Sequence, residues 1–349
     1  NFGIPMVMGF SANYFVLTTK IYDAITGTLG KPNFAIASSL SLVLAVIAGS
    51  VLLLKGVILK GKKYTVLSGK SMQPNIVRLG KYKSLMLGIC LFLVFITTIA
   101  PLITILLTAL TKAYGLAPLA NNWTLKNFYN VLVLMPSSRR SVRNSFILAM
   151  SAATIIAFFG ALIAYIIVKT KMRFRNILDF FSNIPYTIPG TVVAIAMILA
   201  WMKFKIPFTN VGFSLYNTIW ILLVAYIARY LAFGVRATSG SLEQVHDSLE
   251  EAAFISGANW LQSFKDIIIP LIAPGLFASW FLVFIPSLRE LTLSALLYSV
   301  KNETIGVVVF NLQEQGSPCD SAALAVIMLA VLFTANYVLR KITKGQFGY

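Results

Sequence analysis

Apolar runs of membrane-spanning length dominate this sequence and restrict what it can become. A helix needs about 20 mainly apolar residues to cross the hydrocarbon core. Such runs occupy residues 34–54, 84–111, 144–168, 179–202, 218–236, 273–300 and 321–339, and residues 1–10 read as the tail of another. The expectation is seven complete spans and one partial span. Backbone groups inside lipid must satisfy one another, so these runs are expected to be helices. The alternating pattern of a membrane barrel is missing. Composition agrees: 58% of the 349 residues are hydrophobic and 11% charged, with mean hydropathy +0.82. Soluble domains are about 25% charged. A soluble enzyme, a disordered chain and a disulfide scaffold are thereby excluded. No signal peptide is read within the sequence, and the chain is expected to open mid-protein.

The net charge is +18, from 29 Lys and Arg against 11 Asp and Glu. Its distribution matters more than its size, because Lys and Arg mark cytoplasmic loops. Eight bases fall in 55–83, four in 169–175 (Lys169, Lys171, Arg173, Arg175) and three in the tail (Arg340, Lys341, Lys344). These segments share one side in the span count with the loop 237–272, which puts the C-terminus inside. The charge is thus an orientation signal and not a nucleic-acid footprint. Segment 112–143, with Lys126, Arg139, Arg140 and Arg143 and no acid, lies on the outer side against the rule.

The chain also repeats weakly. Residues 1–54 and 290–339 share an order of elements, a length, and a proline (Pro32, Pro318) before the last span. This divides the chain into the end of one half-unit (1–54), a basic linker (55–83) and a complete six-span half-unit (84–349).

Little points to catalysis. Cys90 and Cys319 offer neither a disulfide framework nor zinc spacing, and the single histidine, His246, lies in a polar loop. Gly56-x4-Gly61-Lys62-Lys63 nearly spells a phosphate-binding P-loop, but Lys63 stands where Ser or Thr must ligate magnesium, and no strand precedes it.

The informative loop is Gly240–Pro274, which holds Glu243, Asp247, Glu250, Glu251 and Asp266. Ser248-Leu-Glu-Glu251 reads as a capping box, Gly257 as a helix stop, and Asn259-Trp-Leu-Gln262 as a second box. Pro270 and Pro274 bracket re-entry into the membrane. Ala252 and Ala253 permit close approach of a partner, with Phe254, Trp260 and Phe264 as apolar anchors. The loop either packs on its own bundle or docks a soluble partner.

Charges inside spans are costly and usually face the bundle interior or a cavity. Arg289 and Glu290, placed in the 273–300 span, read either as a wall of a translocation path or as an interhelical tie. Arg229, toward the inner end of 218–236, could snorkel. Pro185, Pro189 and Gly190 either break the 179–202 span or simply start it.

Glu251-Ala252-Ala253, three residues, Gly257, nine residues, then Ile267-x-Ile269-Pro270 resembles the EAA loop of ABC importer permeases. It departs only at Ile269, where that pattern has Leu. Trp123-Thr-Leu-Lys-Asn-Phe-Tyr129, Asn144-Ser145 and Ile184-Pro-Tyr-Thr-Ile-Pro-Gly190 extend the likeness over the second half-unit. Tyr226-Ile-Ala-Arg-Tyr230, Leu242-Glu-Gln244 and Leu288-Arg-Glu-Leu291 resemble the fused ferric iron subgroup; polyamine, phosphonate, sulfate and sugar-phosphate subgroups share much of this pattern.

The resemblance implies an all-α MetI-like helical bundle in a bacterial inner membrane, working by alternating access. It implies two ATP-binding subunits inside and a substrate-binding protein outside, with ATP and Mg held by the partner ATPase and no cofactor on this chain. Glu251, Ala252, Ala253, Gly257, Ile267 and Pro270 would carry coupling: Glu251 by capping and charge, the alanines by close contact, Gly257 by its turn. Arg289, Glu290, Pro185 and Pro189 are the candidates for the path. Readings of other classes predict differently. A channel or secondary transporter has no use for an EAA loop. A scaffold binding anionic lipid through 55–83 would tolerate loss of the 248–264 helices. A membrane enzyme would need a nucleophile–base pair or metal cluster that the sequence does not display.

Overall fold

The computed structural model describes residues 2–9, 12–27, 30–59, 80–116, 120–202 and 212–342. Most of the basic linker, the P-loop-like Gly61–Lys63 and Lys344 lie outside them. The described residues form helices α1 (Gly3–Gly9), α2 (Leu17–Thr26), α3 (Phe34–Leu59), α4 (Gly80–Ala109), α5 (Pro136–Lys169), α6 (Arg175–Thr187), α7 (Gly190–Met202), α8 (Ile219–Leu242), α9 (Ser248–Ile255), α10 (Trp260–Leu288), α11 (Ile305–Glu314) and α12 (Pro318–Ile342). Among them there is no strand, only an isolated bridge between Thr111 and Trp123.

Six helices are long and apolar enough to span: α3, α4, α5, α8, α10 and α12. The pair α6 and α7, bent by 109° at their junction, forms either a broken seventh span or a re-entrant loop. Of the two readings of the 179–202 stretch, the break is the one found. The break falls at Ile188-Pro189, whose ring has no N–H to give. Pro185 breaks nothing; α6 runs on through it to Thr187.

Other bounds also move. The 144–168 span begins eight residues early, at Pro136, so Arg139, Arg140 and Arg143 lie on a helix and not in an outer loop. The 273–300 span runs from Trp260 to Leu288, and residues 289–304 form a return segment holding one short helix, Ser294–Leu297. That segment reads as membrane-spanning because Leu293, Ala295, Leu296 and Leu297 are buried in the bundle. Arg289 and Glu290 consequently lie beyond the helix, not within it. The described residues of 1–10 form the short α1.

Helices α5, α8 and α10 pack together as the centre. Small residues set the approach: a Cβ on Gly234 of α8 would fall 2.3 Å from Ile156 Cγ2 of α5. The N-terminal elements join this core through Phe2, Met6 and Tyr22, and α3 lies against α7 through Ala37 and Ile195. Helices α2 and α11 are alike: ten residues each, N-caps at φ −102°, ψ 164° (Val16) and φ −104°, ψ 164° (Thr304), and left-handed glycines Gly27 and Gly316 just beyond. Each is followed by a long apolar helix, α3 or α12.

Three π turns interrupt the helices, at Phe95–Ile99, Asn130–Leu134 and Phe264–Ile268. Each ends two residues before a proline: Pro101, Pro136 and Pro270. Pro101 and Pro270 lie inside continuous helices, where a proline removes a bond and crowds the carbonyl four residues back, and widening the preceding turn relieves both; Pro136 instead opens α5 after the extended Met135. Helix α10 therefore continues through Pro270 and Pro274.

Candidate functional site

The loop helix α9 is fastened on one face and open on the other. Glu250 is buried and accepts a 2.7 Å hydrogen bond from Tyr165 Oη of α5. Lys169, at the end of α5, donates to Val245 O (2.5 Å) and Asp247 Oδ1 (2.5 Å), and its ammonium is 3.8 Å from Glu250 Oε1. The lysine side chain is 6% exposed, so its charge is held by these acceptors and not by water. The Lys169 hydrogen bond, then its charge, hold Asp247 below the usual carboxylate range. Ala253 turns inward beside Glu250, whereas Glu251 and Ala252 are exposed with Leu249, Phe254 and Ile255.

The turn after α9 is a complete Schellman motif. Ala258 N donates to Ala253 O and Gly257 N to Phe254 O, with Gly257 at φ +87°. The second box forms as expected: Asn259 Oδ1 accepts from Gln262 N, and Gln262 Oε1 from Asn259 N. The first does not. Ser248 already lies inside α9, its hydroxyl pairs with His246 Nδ1, and the N-cap is Asp247 without a side-chain cap bond. Glu251 thus has no capping role. Phe264 is no outward anchor either; it is buried under Trp260, which stacks on it at 5.4 Å, and against Tyr165 at 5.2 Å. Ile267 is half-buried, and Pro270 is exposed just past the π turn.

A second polar cluster lies within the bundle. Tyr230 donates to Glu290 Oε2, Leu293 N donates to Glu290 Oε1 (2.9 Å), and Tyr226 shares a 2.6 Å hydrogen bond with Ser294. Glu290 is therefore the clamp that turns the return segment, while its neighbour Arg289 is exposed. Arg229 occupies the eleventh position of the 24-residue α8, near its middle and not at its inner end. Its Nη1 donates to Ile188 O (3.2 Å), the carbonyl exposed by the α6–α7 break. Arg229, Tyr186 and Thr187 line a cavity of about 470 Å³ with Ala48 and Val51 of α3. Pro189 and Arg229 are thus brought together; Arg289 is not.

At the far end of α5, Asn144 donates to Lys301 O and Glu303 O, Ser145 accepts from Ile305 N, and Arg140 pairs with Glu303 at 3.0 Å. Burial pushes the Glu303 carboxyl up, but the Arg140 hydrogen bond and charge, with backbone N–H donors, outweigh it and hold it below the usual range.

The sequence reading missed Lys169, Tyr165 and the importance of Glu250. The available signal was the spacing of Glu250 and Ala253, three apart and so on one helix face with Gly257 one turn on.

Residues 156–345 match the family model described as the binding-protein-dependent transport system inner membrane component. A Haemophilus influenzae protein named as a ferric transport system permease, FbpB 1, is 29% identical over 308 residues, covering 87% of this chain and 46% of that protein. The putrescine transport system permease PotI of Escherichia coli is 25% identical over 229 residues, 64% of this chain and 80% of its own. The chain spans about half the length of the ferric relatives it matches. In a solved bacterial alginate ABC transporter bound to its periplasmic protein, one chain superposes with TM-score 0.61 at 17% identity, covering 75% of this chain and 94% of that one. That likeness is one of fold.

Proposed function

Because the chain belongs to the family of binding-protein-dependent transport system inner membrane components, we propose that it is a membrane-spanning subunit of an importer driven by separate ATP-binding subunits. The observation that carries this is the two-sidedness of α9. One face is bolted to α5 through Glu250, Tyr165 and Lys169, and the other presents Glu251, Ala252 and Ile255, the last 88% exposed. A push on the open face passes through the buried ion cluster into α5, the longest helix of the described bundle. Glu251, Ala252 and Gly257 then contact the ATP-binding subunit on the cytoplasmic side, and a substrate-binding protein docks outside. Residues 1–54 are the end of a first half-unit. This is supported by the likeness of α2–α3 to α11–α12, and by Tyr22 and Phe310, sixth in α2 and α11, lying 6.4 Å apart edge to face.

Ferric iron is the proposed substrate, on the names of the relatives that cover most of this chain. The test is Gly257→Asp in the assembled transporter. A side chain at φ +87° strains the turn and adds charge to the docking face. ATP-driven uptake is expected to vanish with membrane insertion unchanged, and a Cys at Ala252 is expected to cross-link to the ATP-binding subunit. Wild-type uptake by the variant overturns the coupling role.

A further inference from the structure

The cavity at the α6–α7 break shares no described lining residue with α9 or α5. We propose that it is a substrate subsite for a net-negative species: an oxyanion, or ferric ion carried inside an anionic chelate. This rests on the importer reading and names its substrate class.

The position of Arg229 carries the inference. It lies about 15 Å along α8 at 1.5 Å per residue, near the helix middle, where an ionised side chain belongs on a cavity or the bundle interior. A guanidinium has five N–H donors. Among the described residues its hydrogen bonding is limited to Ile188 O, and no carboxylate pairs with it. Glu290, the buried acid nearby in the fold, is already occupied by Tyr230 and Leu293. Among the described residues the cavity lining contributes two hydroxyl-bearing side chains, Tyr186 and Thr187, and no acid.

The start of α7 adds to the same field. Its N-terminus opens at Gly190, beside the guanidinium, and a helix N-terminus carries partial positive charge. A Cβ on Gly190 would stand 3.2 Å from Arg229 Nη1 and 2.9 Å from Thr292 Cγ2, so glycine is what lets the arginine lie there. Thr191, next in α7, is fully buried with a hydroxyl that has no partner among the described residues. At about 470 Å³ the cavity falls in the range of small-molecule sites, roughly 300–1,000 Å³. An anion would meet a guanidinium with unused N–H donors; a free dication would meet no acid among the described lining residues.

The experiment is uptake by the complete transporter in membrane vesicles, with ferric citrate, sulfate, 2-aminoethylphosphonate and putrescine as probes. ATP-dependent uptake of an anionic probe is expected. Arg229→Gln is expected to raise KM for it roughly tenfold or more at unchanged abundance. Arg229→Lys, which keeps the charge and loses the fork, is expected to raise it less. Putrescine as the transported probe, or an unchanged KM in Arg229→Gln, overturns the inference. If Arg229→Gln does not accumulate, Arg229→Lys decides: a rise of about threefold supports the subsite, and none overturns it. Arginine-dependent anion uptake that persists without ATP overturns the importer reading and leaves the subsite standing.

Discussion

Two glutamates, each held by a tyrosine, stand where the chain turns away from a spanning helix. Glu250 accepts from Tyr165 in the loop, and Glu290 from Tyr230 in the return segment. Around Glu250 stands a buried lysine, itself tied to Asp247 and a backbone carbonyl, with open surface a turn away. Around Glu290 the donors are neutral, a phenol and the Leu293 N–H, and the residues that follow are buried. The loop is thus secured ionically to one helix and left accessible. The return segment is secured by uncharged donors and enclosed. A part that must receive a push while keeping its grip suits the first arrangement; a part that must hold a shape in lipid suits the second.

Substitution should separate the two. Glu290→Ala leaves the Tyr230 hydroxyl and the Leu293 N–H without their acceptor, and is expected to lower stability by about 2–5 kcal/mol, read by denaturation in detergent. Glu290→Gln, which keeps an acceptor, should cost less than about 1.5 kcal/mol. Lys169→Met leaves Glu250 buried beside no cation. It should raise hydrogen exchange across α9 by about 2–4 kcal/mol of local opening while the 294–297 helix stays protected. Equal loss of protection in both would erase the distinction.

Smaller effects should follow the same division. Tyr165→Phe is expected to cost about 1 kcal/mol, again confined to α9. The last difference is in pH. Asp247 has a folded pKa below its ordinary value, so the tie to Lys169 is fully present above the usual aspartate range and is lost as pH falls through the depressed value. Exchange across α9 should be flat near neutral pH and rise only in acid. A rise beginning above the ordinary aspartate pKa would contradict the assignment.

How much of this the sequence disclosed differs by kind of feature. Spanning helices are written in hydropathy, because lipid leaves the backbone no alternative. Their ends are not. Arg139, Arg140 and Arg143 interrupt the apolar pattern while α5 continues past them, since Glu303 and the 301–305 backbone receive this helix end. Leu293–Leu297 prolong the pattern where α10 has already stopped, because burial in protein and burial in lipid select the same side chains. At the loop, Gly257 and the Asn259–Gln262 box were legible, being local devices. Glu250 was not distinguishable from Glu251, since its partners arrive from 81 and 85 residues earlier. Phe264 misled for another reason: the π turn it opens is set by a proline six positions on, and regular helical spacing no longer says which way the ring points.

That π turn also has a consequence for how the loop is aimed. It holds one residue more than an α-turn, and one residue is about 100° of screw on an α-helix. Pro270 therefore fixes the azimuth at which Trp260–Ser263 leaves the body of α10. It acts as the index mark of a threaded joint. Without the ring, the thread is free to wind in by one residue, and Trp260 and Phe264 would be carried together off Tyr165 with no change in length to speak of.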